Sequence, residues 1–374
     1  MSALSPLIRP IRLMIVDDSG FMRLAVRKMV EGEKDIEVVG EARDGEAALS
    51  LLESVRPDVI TMDVEMPNLD GLATTRAIMR RRPLPIIMLS SLTQKGAQTT
   101  VQALEAGAVD FISKSSSFVQ LDIVGIDKEL REKIRYWGRH PLARPAPGQP
   151  ATARAQAAPT ASLPALRACR RPGEVDLVVV GVSTGGPRML PAFLKACGRL
   201  ACPMVVAQHM PPQYTASLAM HLRQDTGLEV SEGSEGTVLA PGTVTVLPGG
   251  QDGGLTPGLG STWVLTLRVL ASASIHPSVD HLFETALGVA KTPVAVVLTG
   301  MGRDGTQGAG AFARRALPVV VQEPGECVVA GMPFSVLEAG HASHVFPVAR
   351  LGATLQEWCS PGASRPAPDP ERGL

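Results

Sequence analysis

Val178-Val179-Val180-Gly181-Val182-Ser183-Thr184-Gly185-Gly186 decides the fold of the longer half of this chain. A run of β-branched residues marks a buried strand, the glycines mark a tight turn, and Met189-Leu190-Pro191-Ala192-Phe193-Leu194 continues with helical spacing. Gly181-x-Ser183-x-Gly185 therefore sets a serine between a strand end and a helix start, the arrangement of a nucleophile elbow. Glycine permits the turn because it lacks Cβ, and the free N–H groups of a helix start favour a developing oxyanion. The same pattern suits a glycine-rich turn that holds phosphate, so the serine needs partners before it means catalysis.

Outward from this strand, apolar runs recur at Met204–Ala207, Val244–Leu247, Val264–Leu267, Val294–Leu298 and Val319–Val321. Helical patterns lie between several of them, at Tyr214–Arg223, Val279–Val289 and Gly308–Arg315. The alternation predicts an α/β catalytic domain over 174–358 with a mostly parallel, doubly wound sheet. Its less helical middle, Glu229–Val269, predicts an antiparallel hairpin or edge. Upstream, residues 138–173 are rich in alanine, proline and arginine and read as a solvated linker rather than a docking patch, with His140 at its start lacking a visible partner. Residues 360–374 share that character and read as a disordered tail.

Over residues 10–137, short runs at Arg12–Val16, Ile36–Val39, Asp58–Met62, Ile86–Leu89 and Val109–Ile112 alternate with amphipathic stretches at Gly20–Val30, Glu46–Leu52, Gly71–Met79 and Gln98–Leu104. Glu129–Tyr136 adds a last charged helix. This predicts a second α/β unit, a five-stranded parallel sheet covered on both faces.

At 374 residues the chain is long enough for two cores, and its 45% apolar and 19% charged residues are those of a globular protein. Lys+Arg and Asp+Glu both number 36, a balance that weighs against a nucleic-acid partner. Five cysteines without a C-x-x-C pair predict reduced, mostly buried thiols rather than a disulfide or zinc framework. The first apolar run is too short for a signal peptide and no segment has the apolar length of a membrane span, so no membrane insertion and a cytoplasmic location are expected.

In the first unit the polar residues gather at strand ends, where ligands bind in such sheets. Asp17 and Asp18 end the first run, Asp63 the third, Ser90 and Ser91 the fourth, and Lys114 follows the fifth. Clustered carboxylates call for a hard cation such as Mg²⁺. With it, Asp63 could attack a phosphoryl donor while Lys114 and Ser90 bind the new phosphoryl oxygens. Ile15-Val16-Asp17-Asp18-Ser19, Met62-Asp63-Val64-Glu65-Met66-Pro67 and Phe111-Ile112-Ser113-Lys114 resemble the signatures of a two-component receiver domain. The resemblance implies a flavodoxin-like fold and phosphorylation of Asp63 by a histidine kinase. It implies Mg²⁺ on Asp18, Asp63 and the Glu65 backbone carbonyl, Asp17 acting through water, and Ser90 and Phe111 as the switch residues. Ser115 stands where that family usually has proline.

A serine needs a base, and the base an orienting acid. Of His209, His221, His276, His281, His341 and His344, only His209 directly follows a predicted buried strand, which brings it to the sheet edge of Ser183. His221 reads as a helix-face residue, His341 and His344 as structural, and His276 and His281 as candidates to line a pocket. Asp304, on the glycine-rich turn Leu298–Gly305, is the leading acid, with Asp280 and Glu284 as alternatives.

Gly181–Gly186, Gln208–Pro212, Pro277-Ser278-Val279-Asp280, Leu298–Gly305 and Cys327–Pro333 together resemble the methylesterase domain of the chemotaxis protein-glutamate methylesterases, the CheB family. The resemblance implies a Ser183–His209–Asp304 triad without a cofactor for ester hydrolysis. The backbone N–H groups of Thr184 and Met301 are the expected oxyanion donors. It further implies hydrolysis of glutamate methyl esters, and deamidation of some glutamines, on the cytoplasmic helices of chemoreceptors. The unphosphorylated receiver is expected to cover the Ser183 edge. Ala216, Asp252 and the pair Ile275-His276 depart from residues common in that family. A receiver-regulated esterase or deamidase with another protein substrate, or a non-catalytic regulator that signals by binding, are the competing classes.

Overall fold

Two sheets organise the chain, and in both the strands are the β-branched runs and the helices the amphipathic stretches. The computed structural model describes residues 9–91, 93–114, 126–140, 142, 164–169, 175–260, 262–273 and 275–360. Ser115, most of the linker and the tail beyond Ser360 lie outside the described residues.

The N-terminal unit comprises β1 (Ile11–Val16), α1 (Gly20–Val30), β2 (Ile36–Ala42), α2 (Gly45–Val55), β3 (Val59–Asp63), α3 (Gly71–Arg81), β4 (Ile86–Ser91), α4 (Gln94–Glu105), β5 (Asp110–Lys114) and α5 (Ile126–Arg139). Its five strands are ordered β2-β1-β3-β4-β5, and every pair is parallel. Ser19, Asp44, Asp70 and Thr93 each begin a helix by accepting a backbone N–H from inside its first turn, satisfying a donor that the helix itself cannot. The last helix reaches Arg139, past the boundary expected at 137, and His140 stacks on Tyr136 instead of standing alone.

The C-terminal unit runs β6 (Leu177–Val182), α6 (Gly186–Cys197), β7 (Met204–Gln208), α7 (Tyr214–Thr226), β8 (Glu229–Glu232), β9 (Val238–Leu239), β10 (Thr243–Val246), β11 (Asp252–Pro257), β12 (Trp263–Arg268), α8 (Val279–Val289), β13 (Pro293–Val297), α9 (Thr306–Arg314), β14 (Val319–Gln322), α10 (Gly331–Glu338), β15 (His344–Phe346) and α11 (Val348–Cys359). A seven-stranded parallel sheet, β15-β14-β13-β6-β7-β10-β8, holds the centre, and β11-β12-β9 form a small antiparallel sheet. The hairpin expected within Glu229–Val269 is thus β11–β12, and Val264–Leu267 belongs to it, outside the main sheet.

Central strands β6, β7 and β13 are buried at every position, as a sheet covered on both faces requires. One apolar cluster continues without a break from Met14, Ile60 and Phe111 of the first unit into Tyr214, Leu218 and Val180 of the second, so the two units share a core. The described end of the linker also departs from a free tether. Arg167 donates from Nε to the His341 carbonyl at 2.8 Å and also reaches the Leu317 carbonyl.

Candidate functional site

Strand register brings the serine and the histidine together. Val182 lies opposite Gln208 and Gly181 opposite Val297, so β6, β7 and β13 end side by side. The Ser183 N–H donates to the Thr299 carbonyl and the His209 N–H to the Val182 carbonyl, both at 3.0 Å. Two of the three following helices start after glycines in the left-handed region, Gly185 before α6 and Gly305 before α9, and α7 starts after Gln213 in the same conformation. These sharp turns keep Ser183, His209 and Asp304 at the carboxyl edge of the sheet.

His209 Nε2 and Asp304 Oδ2 lie 2.8 Å apart. Asp304 also accepts the N–H groups of Val279 at 2.7 Å and Asp280 at 3.0 Å, at the start of α8. Burial alone would raise the Asp304 pKa, but the contacts with His209 and those two N–H groups outweigh it and hold the carboxyl below its ordinary value. His209 Nδ1 is buried and has no hydrogen-bond partner among the described residues. No hydrogen bond there joins the Ser183 hydroxyl to the imidazole; the serine stands at the neighbouring strand end, its Cβ 2.8 Å from where a Cβ on Gly300 would lie. The Thr184 and Met301 N–H groups have no protein acceptor among the described residues.

The alternative acid Asp280 lies against Asp304 and accepts the Gly308 N–H at 2.8 Å; burial, and then the Asp304 charge, raise its pKa. The other histidines have partners elsewhere: His276 with Asp252 at 2.8 Å, His281 with Arg268, and His221 with Glu105 across the boundary between the units.

Sequence reasoning missed the braces of this edge. Gln208 Nε2 donates to the carbonyls of Ser183 at 2.9 Å and His209 at 3.0 Å. The Thr299 hydroxyl takes the Val329 N–H at 2.9 Å and donates to the Thr184 carbonyl at 3.0 Å. The Thr299 N–H in turn donates to Gln322 Oε1 at 2.8 Å. The available signal is a polar residue closing an otherwise apolar strand, as in Ala207-Gln208 and Val321-Gln322.

In the first unit, carboxylate oxygens of Asp17, Asp18 and Asp63 all lie within 4.8 Å of one another. Lys114 Nζ bridges Asp17 at 2.8 Å and Asp63 at 2.7 Å. Burial raises the Asp63 pKa to about 6, against the Lys114 charge and with help from Asp17. An all-oxygen cluster crowded enough to disfavour its own ionisation fits a hard cation such as Mg²⁺. The Ser90 hydroxyl is turned toward α4, where it receives the Thr100 hydroxyl at 2.6 Å.

The first unit also meets the Ser183 edge. The Thr184 hydroxyl donates to Asp110 of β5 at 3.2 Å, and the Tyr214 hydroxyl donates to the Ser91 carbonyl at 3.2 Å. The Phe111 and Tyr214 rings are 4.8 Å apart. Met301 and Val328 pack against the cluster of Ile11, Leu130 and Trp137 in the first unit.

Residues 13–123 match the family model described as response regulator receiver domain, and residues 178–355 the one described as CheB methylesterase. The chain is 38% identical over 351 residues to a protein-glutamate methylesterase/protein-glutamine glutaminase of Thermotoga maritima, covering 93% of this chain and 98% of the relative. The chain belongs to the CheB methylesterase family. A CheB relative of the same description from Alkalilimnicola ehrlichii is 37% identical, covering 92% of this chain and 98% of its own. The crystal structure of the Thermotoga maritima CheB methylesterase catalytic domain has 37% identity and a TM-score of 0.47, covering 49% of this chain and 98% of that one. As a CheB family member the chain therefore spans its relatives nearly end to end, and among the described residues no helix is long and apolar enough to cross a membrane.

Proposed function

We propose that this chain is a receiver-controlled protein-glutamate methylesterase, also deamidating certain glutamines, that acts on the cytoplasmic helices of methylated chemoreceptors in chemotaxis adaptation. The observation that carries the reading is the His209–Asp304 hydrogen bond beside the strand end that delivers Ser183. Ser183 attacks the γ-ester carbonyl. His209 takes its proton at Nδ1, the nitrogen that Asp304 leaves free, and returns it to departing methanol. Asp304 fixes the tautomer and stabilises the imidazolium. The free N–H groups of Thr184 and Met301 receive the oxyanion, and loss of one such donor raises the barrier by about 3 kcal/mol. Water then enters by the same proton path and releases a glutamate carboxylate; with a glutamine substrate the leaving group is ammonia.

Asp63 accepts a phosphoryl group from a histidine kinase. Asp18, Asp63 and the Glu65 carbonyl would hold Mg²⁺, with Asp17 acting through water; the ion's chemistry is to offset charge at the phosphoryl oxygens. Lys114 already lies on Asp63, whereas Ser90 reaches a phosphoryl group only by leaving Thr100. Ser90 and Phe111 then shift together, and Phe111 is in contact with Tyr214 of the catalytic domain. The test is methanol release from methylated receptor fragments with and without a small phosphoryl donor. Wild type releases methanol faster with the donor, and Ser183→Ala releases none above background; release by Ser183→Ala at the wild-type rate overturns the assignment.

A further inference from the structure

Cys202 and Cys359 bring two free thiols into direct contact. The Cys202 thiol donates to Cys359 Sγ at 3.1 Å, and both side chains are buried. They come from distant parts of the chain, 157 positions apart. Cys202 sits just before β7, the strand that His209 directly follows, and Cys359 is the last residue of α11. That helix packs closely on α6, which starts three residues after Ser183; a Cβ on Gly352 would lie 2.5 Å from the Ala196 backbone. The Trp358 carbonyl takes the Val175 N–H at 3.0 Å, so the same corner ties the first and last residues of the catalytic domain. A small surface cavity lined by Gly198, Leu200, Cys202, Met204 and Thr243 reaches the Cys202 side of the pair.

We propose that Cys202 and Cys359 are an oxidation site: a hydroperoxide converts them into a disulfide that staples α11 to the base of β7 and closes the catalytic domain. Hydrogen peroxide accepts an electron pair from one sulfur, leaving a sulfenic acid and one water. The second sulfur attacks it, the S–S bond forms and a second water leaves, so two thiols and one peroxide give one disulfide and two waters. The hydrogen bond to Cys359 and burial both raise the Cys202 pKa, which keeps that sulfur a thiol under mild conditions and makes its oxidation slow. The closed loop holds His209 and Asp304 but contains neither in its linkage, so the staple acts on stability rather than on the reacting groups.

The test treats the full chain with hydrogen peroxide after removal of reductant. The five thiols titrated in denaturant should fall to three, the difference of the two that pair. The intact mass should drop by about 2 Da, one Cys202–Cys359 peptide should appear on digestion, and the catalytic domain's unfolding midpoint should rise by on the order of 10 °C. Cys202→Ser and Cys359→Ser should each retain four titratable thiols, one fewer than the five of wild type, with no loss of mass. Five thiols left after oxidation, oxygen added without a cross-link, a cross-link to Cys197, or an unchanged midpoint each overturns the proposal.

Discussion

Asp63 is held in a place that disfavours its own charge. Its pKa of about 6, raised chiefly by burial, lies above the ordinary 3.8, so between those values the folded protein keeps a proton that the unfolded chain has released. Stability therefore falls as pH rises through that window, by about 3 kcal/mol when complete. Asp63→Asn removes the charge and keeps the shape. In urea melts at pH 7.5 without divalent cation, the variant's receiver should be more stable than wild type by about 1–3 kcal/mol, and the gap should close below pH 4. An equal gap at both pH values refutes the electrostatic account. Asp304 presents the opposite case, its charge stabilised by His209 and two N–H groups. Asp304→Asn should lower kcat for methanol release by about 10³–10⁴-fold with little change in KM, since it spoils the imidazole's tautomer more than the binding surface. Candidate residues of this kind were legible because an acid or histidine stands at the end of a largely apolar run, as at Val16-Asp17 and Ala207-Gln208-His209. Gln208 and Thr299 were not, because they act by bonding backbone groups of distant segments, which leaves no periodic trace.

Among the elements, the strand-to-helix turns do the positioning. Gly300 follows β13, and a Cβ there would lie 2.2 Å from Met332 Sδ and 2.8 Å from Ser183 Cβ. The methionine can swing away, but Ser183 is fixed by its N–H bond to Thr299. Gly300→Ala should therefore lower kcat by about 10²-fold, because misplacement by about 1 Å is enough for that loss, while far-UV circular dichroism stays as in wild type. Unchanged turnover would show that the turn yields freely. Most elements were readable from alternating apolar runs and amphipathic stretches; Gly20–Val30 and Val279–Val289 have the expected limits. The order of parallel strands was not, since a strand buried on both faces reads alike wherever it lies in the sheet. Val264–Leu267 shows the difficulty: its apolar run belongs to the small antiparallel sheet, although its composition matches that of the central strands.

For the whole molecule, the decisive feature is that two units with separate sheets share one apolar cluster at the Ser183 edge. Thr184, next to the serine, bonds Asp110 of the receiver, whose neighbour Phe111 contacts Tyr214. These contacts give a change at Asp63 that moves β4 and β5 a short route to the proposed catalytic turn. If phosphorylation shifts an equilibrium between covered and uncovered arrangements, any loss of interface energy raises basal turnover and leaves the phosphorylated maximum alone. Tyr214→Phe is a mild probe, since it retains the buried ring and removes only the hydroxyl that donates to Ser91. One such hydrogen bond is worth about 1 kcal/mol, which shifts the equilibrium about 5-fold. Basal methanol release by Tyr214→Phe should rise about 5-fold and its stimulation by a phosphoryl donor should shrink in proportion. A variant with raised basal rate and undiminished fold-stimulation would place the control elsewhere than in this contact, and one with unchanged basal rate would show that the receiver does not restrain the site through Tyr214.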